Sequence, residues 1–264
     1  MTEITEGGTL ILVDGGAGAG GSTFLSGMPK PIYVLDTDND SWRWLRDEAA
    51  VIETTRNMLQ ARSLLEKWAK LPLDECRSIA VDTWSVWWQM LCNQVVDKDE
   101  RQKEFKTTNA FKAWGPAKMA MGRMQGALLT AKARGKHVGL RAHSKDLLLQ
   151  DETGKVVKAG VKPDCEQFLD QHLDAWFRLD VDKKTDKRTL VVQKCRAARR
   201  DPADGRRKPI YKIGSTIDVP EYESDLMYAK ILADFGKLPA SLARDDMAES
   251  ETSAESAMRE VANV

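Results

Sequence analysis

The chain has 264 residues, 42% of them hydrophobic, and its 40 Lys plus Arg balance 40 Asp plus Glu to a formal net charge of zero. That length allows one large domain or two small ones; the charge balance excludes a uniformly basic nucleic-acid coat, and the composition excludes wholesale disorder. Four cysteines without a CxxC pair and three scattered histidines argue against a disulfide framework or zinc site, and no apolar run approaches the roughly eighteen residues of a membrane span, so a soluble cytoplasmic protein is expected.

In chain order, Thr9–Val13 (TLILV) is a short apolar run ending at Asp14 and a glycine cluster, the pattern of a buried strand entering a turn. A short helix is predicted from Ser22 to the Met28-Pro29 stop, and Pro31–Leu35 is a second strand before Asp36-Thr37-Asp38. Ala50, Ile52, Met58, Leu59, Leu64, Leu65 and Trp68 recur at helical spacing and predict one long amphipathic helix or two over Asp47–Leu71. Arg77–Val81 (RSIAV) is a third strand, capped by Asp82-Thr83. Ser85–Val96 and Ala110–Ala133 read as helices, with the charged stretch DKDERQKEFK between them as a solvated linker. His137–Ala142 is a fourth strand, and Ala175–Val181 and Arg188–Lys194 are two more. After the loop Arg199–Pro209, Ile210–Ile213 is expected to return as a hairpin partner. Residues 1–240 form a single domain in this reading, and 241–264 an acidic, disordered tail. Alternating strands and helices imply an α/β fold: a mostly parallel sheet flanked by helices, with a late antiparallel hairpin.

The sharpest motif is Gly15-Gly16-Ala17-Gly18-Ala19-Gly20-Gly21-Ser22-Thr23, between a strand and a helix. It fits the phosphate-binding pattern G-x4-G-K-[S/T], with Gly15 and Gly20 as its glycines and Ser22 as the hydroxyl that would ligate magnesium. One position fails. The lysine that should reach the β- and γ-phosphates is Gly21, and Lys30, at the far end of the short helix, is poorly placed to replace it. A glycine-rich turn without a ligand is the plain alternative. Asp82, after a hydrophobic strand, could hold a magnesium-bound water, and Asp38, just past the second strand, could orient or deprotonate an attacking water. Either carboxylate alone could be a turn or helix cap; their order along the chain is what a nucleotide hydrolase requires.

Together these segments (LILVDGGAGAGGST, PIYVLDTD, SIAVDTWS, WGPAKMAMGRM, HVGLRAHSKD and VVQKCR) resemble the phage-type RecA-like P-loop ATPases, an AAA/RecA-RadA-like group that includes phage single-strand annealing and recombination ATPases. The resemblance runs from about Thr9 to Leu238 and implies a RecA-like P-loop NTPase core that binds ATP and Mg2+, acts on single-stranded DNA and assembles as a homo-oligomer. By resemblance, Gly15 to Thr23 match the Walker A loop and Asp82 the Walker B aspartate. Asp38 takes the place of a catalytic glutamate, His143 that of a γ-phosphate sensor, and Lys194 with Arg196 a K-x-R motif that reaches a neighbouring subunit's nucleotide. Gly21 and the short Asp38 depart from the family pattern and leave hydrolysis open. A non-hydrolysing module that binds DNA or a partner therefore stands beside the ATPase reading.

Zero net charge conceals opposed segments. Residues 183–212 carry twelve Lys/Arg against three Asp, and 240–264 carry six Asp/Glu against two Arg. Arg199, Arg200, Arg206, Arg207 and Lys208 are the candidate contacts to a DNA backbone, with a flexible soluble turn as the alternative. The tail is a candidate docking segment for a single-strand-binding or replication protein, or else plain solubilising disorder. Trp84, Trp87 and Trp88 share a helix face and are expected in the core.

Overall fold

The computed structural model describes residues 7–38, 42–104, 110–150, 154–201, 203, 205–220 and 226–237; the acidic segment 241–264 lies outside them. Its elements are β1 (Leu10–Gly15), α1 (Gly21–Ser26), β2 (Ile32–Asp36), a 3-10 turn (Arg43–Glu48), β3 (Val51–Thr54), α2 (Met58–Lys70), β4 (Ser78–Asp82), α3 (Trp84–Glu104) and α4 (Ala110–Ala133). After these come β5 (His137–Gln150), β6 (Val156–Pro163), β7 (Ala175–Val181), β8 (Arg188–Cys195), β9 (Ala198–Arg200), β10 (Arg207–Pro209), β11 (Thr216–Val219) and α5 (Leu226–Asp234).

One sheet organises the chain in the order β11-β8-β7-β1-β5-β4-β2-β3. From β7 to β3 every pairing is parallel, whereas β8 and β11 join antiparallel. This is the arrangement expected: a mostly parallel sheet, helices on both faces, antiparallel strands late. Side chains alternate across it. Leu10, Leu12, Val81 and Leu140 pack beneath α2, α3 and α4, while Ile11, Val13, Val34 and Ala80 pack beneath α1 and α5. Both faces are covered, which is why the central strands read as continuous apolar runs.

Four local expectations differ from the structure. Residues 51–54 form strand β3 rather than helix, because Val-Ile-Glu-Thr is a β-branched run that pairs with β2. The charged stretch after Val96 continues α3 to Glu104, as a run of Lys, Glu, Arg and Gln favours helix. The fourth strand does not stop at Ala142; β5 runs on to Gln150 as half of a hairpin with β6. Ile210–Ile213 is not a strand. The partner of β8 is the β-branched Thr216–Val219, and the basic loop folds on itself as β9 and β10.

The tryptophans divide by environment. Trp84 and Trp87 are buried and meet edge to face at 5.8 Å. Trp88 instead lines a cleft of about 500 Å³ with Trp176, Lys118, Lys145 and Lys162.

His137 begins β5 fully inside the protein, where Thr9 Oγ1 lies 3.1 Å from its Nδ1. Burial, reinforced by the charges of Arg77 and Lys237, lowers its pKa from 6.5 to about 4. The unfolded chain then takes up this proton at a higher pH than the folded one. The stability linked to His137 is full above pH 6.5, declines as pH falls from 6.5 through about 4, and totals about 3 kcal/mol. Urea unfolding at pH 7 and pH 4.5 checks this: the loss is expected to be markedly smaller in His137→Asn than in the wild type.

Candidate functional site

Strands β1, β2 and β4 run parallel and end on one edge, where β5 leaves its parallel pairings after His143 and loop backbone is free of sheet pairing. Residues 16–20 leave β1 here and turn into α1. Gly18 (φ 76°) and Gly20 (φ 98°) hold left-handed conformations that a residue with a Cβ adopts only under strain. Gly16, Ala17 and Gly18 are exposed, and a Cβ added at Gly16 or Gly18 would meet nothing within 4 Å. The loop therefore presents accessible backbone. Helix α1 has only six residues, so an anion bound here relies on the loop's own amides.

At the end of the loop, Ser22 Oγ donates a 2.6 Å hydrogen bond to Oδ2 of Asp82. Asp82 terminates β4, two places from β1 in the sheet, and is 0% exposed. Trp42 Nε1 donates to the same oxygen at 3.1 Å, and Arg141 Nη1 donates to Oδ1 at 2.8 Å. A hydroxyl and a carboxylate this close form the all-oxygen donor pair that magnesium prefers, and the serine oxygen keeps lone pairs for a metal while donating its proton. The residues fit the implied cation.

Threonines join the strand ends. Thr37 Oγ1 donates to Thr83 O and accepts from Thr83 N, and Thr83 Oγ1 donates to Arg141 O. The Asp82-Thr83 peptide is cis. Beside this seam Asp38 Oδ2 lies 3.5 Å from His143 Nε2. The hydrogen bond from His143, together with the charges of His143, Arg141 and Arg56, holds the Asp38 carboxyl below its usual range. Asp36, inside the strand end, is shifted upward by burial, with the Asp82 charge adding to the effect.

The structure thus gathers residues 15–23, Asp38, Asp82 and His143 on one edge, and it leaves the other candidates elsewhere. Lys30 pairs with Glu48 at 2.7 Å. Lys194 lies opposite Trp176 near the start of β7, toward the far edge of the sheet from the loop, and its ammonium is held by Asp170 at 2.9 Å. Arg196 lies just beyond β8, its backbone N–H bonded to Asp174 O. Arg199 and Arg200 on β9 face Lys208 and Arg207 on β10, and all four are exposed, as is Arg206.

Two residues at the site escaped the motif reading. Trp42, only 1% exposed, is positioned by the 3-10 turn and carries no sequence signature for its bond to Asp82. Arg141 did carry a signal: it is the one charged side chain in the otherwise apolar run VGLRA, in the buried first half of β5.

A family model described as an AAA domain matches residues 8–199. No curated protein matches the sequence. Among solved structures, the RadB recombinase aligns with a TM-score of 0.48 at 15% identity, covering 81% of this chain and 87% of the other. A KaiC-like protein from the hyperthermophilic archaeon Pyrococcus horikoshii OT3 aligns with a TM-score of 0.45 at 16% identity, covering 81% and 90%. Both are distant, and no residue role is carried over from either.

Proposed function

The chain belongs to the AAA-domain family, and from that membership we propose that it is an ATP- and magnesium-binding RecA-like ATPase of DNA recombination or replication, of the phage type its sequence resembles, acting on single-stranded DNA. The observation that carries the reading is the Ser22–Asp82 hydrogen bond, which ties the end of the glycine loop to a buried carboxylate across the sheet. Loop backbone from Gly15 to Gly21 would hold the phosphates, with Ser22 and Asp82 holding the metal. Magnesium held there would supply charge neutralisation to the phosphates. Asp38, kept ionised beside His143, orients the attacking water, and His143 registers the γ-phosphate through that contact.

The basic hairpin supports the DNA half of the proposal. Arg207 stands opposite Arg200 and Lys208 opposite Arg199, and like charges directly across a strand pair destabilise it. A polyanion laid along the hairpin removes that repulsion without reading bases. Lys194 and Arg196 would act on a neighbouring subunit's nucleotide, with Lys194 exchanging Asp170 for phosphate in the homo-oligomer.

A second reading, a module that binds DNA or a partner without hydrolysis, is favoured by Gly21 and by Asp82, whose two oxygens are both engaged by protein donors. ATP turnover with magnesium, measured with and without single-stranded DNA, separates the two. DNA-stimulated turnover is expected; nucleotide binding without turnover would select the module, and absence of both would sink the nucleotide assignment.

A further inference from the structure

A side chain at the position that lacks the loop lysine would run into Arg141. A Cβ built on Gly21 lies 2.9 Å from both Cδ and Nε of Arg141 and 3.2 Å from its Cγ, so the arginine chain runs through the space a side chain at 21 would enter. The fold brings it there in two steps. Gly139 and Arg141 share one face of β5, two residues apart, and that face is turned toward α1. Gly139 lets α1 settle close: a Cβ there would lie 2.6 Å from Leu25 Cδ2 and 2.7 Å from Met28 Sδ. Arg141, one residue past the last pairing of β5 with β4, then lies against the first residue of α1.

The guanidinium is held in place. Nη1 donates to Asp82 Oδ1 at 2.8 Å and stands 3.5 Å from Ser22 Oγ, and the side chain is 13% exposed. Among the described residues its other N–H groups have no hydrogen-bond partner. A guanidinium presents five donors in a rigid fork suited to phosphate, so one edge can stay on Asp82 while the other takes an anion.

We propose that Arg141 is the phosphate-binding cation of this site, reaching from β5 the β- and γ-phosphates that a lysine at position 21 would reach from the loop. The proposal rests on the nucleotide site proposed above. Gly21 is then the residue that makes room for Arg141 rather than a lost function. The strand order makes the exchange possible: β5 lies between the loop strand β1 and the carboxylate strand β4, so a side chain on it level with their carboxyl ends borders both.

The test measures ATP and AMP affinity in magnesium by calorimetry or competition, with a thermal melt for each protein. Arg141→Ala is expected to weaken ATP binding about 10- to 100-fold, the range for a hydrogen-bonded charge, and to leave AMP affinity within about twofold. Gly21→Lys alone is expected to weaken ATP binding, since its chain collides with Arg141. The double variant Gly21→Lys/Arg141→Ala is expected to recover ATP affinity to within about threefold of wild type. It also keeps a cation near Asp82, and so remains decisive if Arg141→Ala alone does not fold. Wild-type ATP binding with unchanged affinity in Arg141→Ala, tighter binding in Gly21→Lys alone, or a folded double variant that binds AMP but not ATP would each overturn the assignment and leave the nucleotide site standing. A wild type that binds no ATP would overturn both.

Discussion

Replacing Asp82 with alanine is expected to lower folding stability by about 3–5 kcal/mol and to abolish magnesium-dependent ATP turnover. The stability loss follows from what the carboxylate satisfies. Asp82 is wholly buried and accepts from Ser22, Trp42 and Arg141, so its removal strands a guanidinium and an indole N–H with little access to water. Urea unfolding of Asp82→Ala beside Asp82→Ala/Arg141→Met divides the effect. Removing the stranded charge should restore part of the lost stability and none of the turnover, because the carboxylate proposed to hold the metal is still missing. Full turnover in the single variant would remove Asp82 from the proposed metal site. Asn at this position keeps the shape and an acceptor but not the charge; it should lie between wild type and Ala in stability and match Ala in turnover.

Single-stranded DNA affinity is expected to fall on the order of 100-fold at 0.1 M salt when Arg199, Arg200 and Arg207 are all changed to alanine, and the slope of log affinity against log salt to become shallower by about 2. These three arginines lie on exposed strands of the short β9–β10 hairpin. Lys208 shares the hairpin, but Asp201 already holds its ammonium, so Lys208→Ala should have the smaller effect. Fluorescence anisotropy with a labelled oligonucleotide across a salt series provides the measurement. A triple variant with unchanged affinity and slope would move the DNA contact away from the hairpin. Turnover without DNA should be unaffected, as the hairpin contributes nothing to the loop edge.

The legible parts of the site were those whose chemistry is local. A glycine run after a buried strand has few other uses, and Asp82 was recognisable because a carboxylate terminates an apolar run. Asp38 and His143 were each single residues after strands, and only the parallel sheet brings them to 3.5 Å. Segments whose state depends on distant partners were misread. Val51–Thr54 looked helical from its neighbours' spacing and is a strand because β2 offers an edge. Residues 143–150 open with the polar run His-Ser-Lys-Asp, and they extend β5 because β6 returns to pair with them.

The sequence by itself determined the alternation of central strands and helices, the glycine loop, the carboxylate ending β4 and the basic segment, since each rests on residue types within a few positions of one another. Tertiary structure alone decided how the zero net charge is laid out and what Gly21 means. Four of the basic residues oppose one another across a two-stranded hairpin, while another, Arg141, is paired with the buried Asp82. In sequence, Gly21 is a missing lysine. In the fold, it is where β5 passes the start of α1, and the space a side chain would enter is occupied by an arginine 120 positions away. Close packing between elements remote in sequence leaves no local pattern, because what a position can accept is set by the atoms it meets.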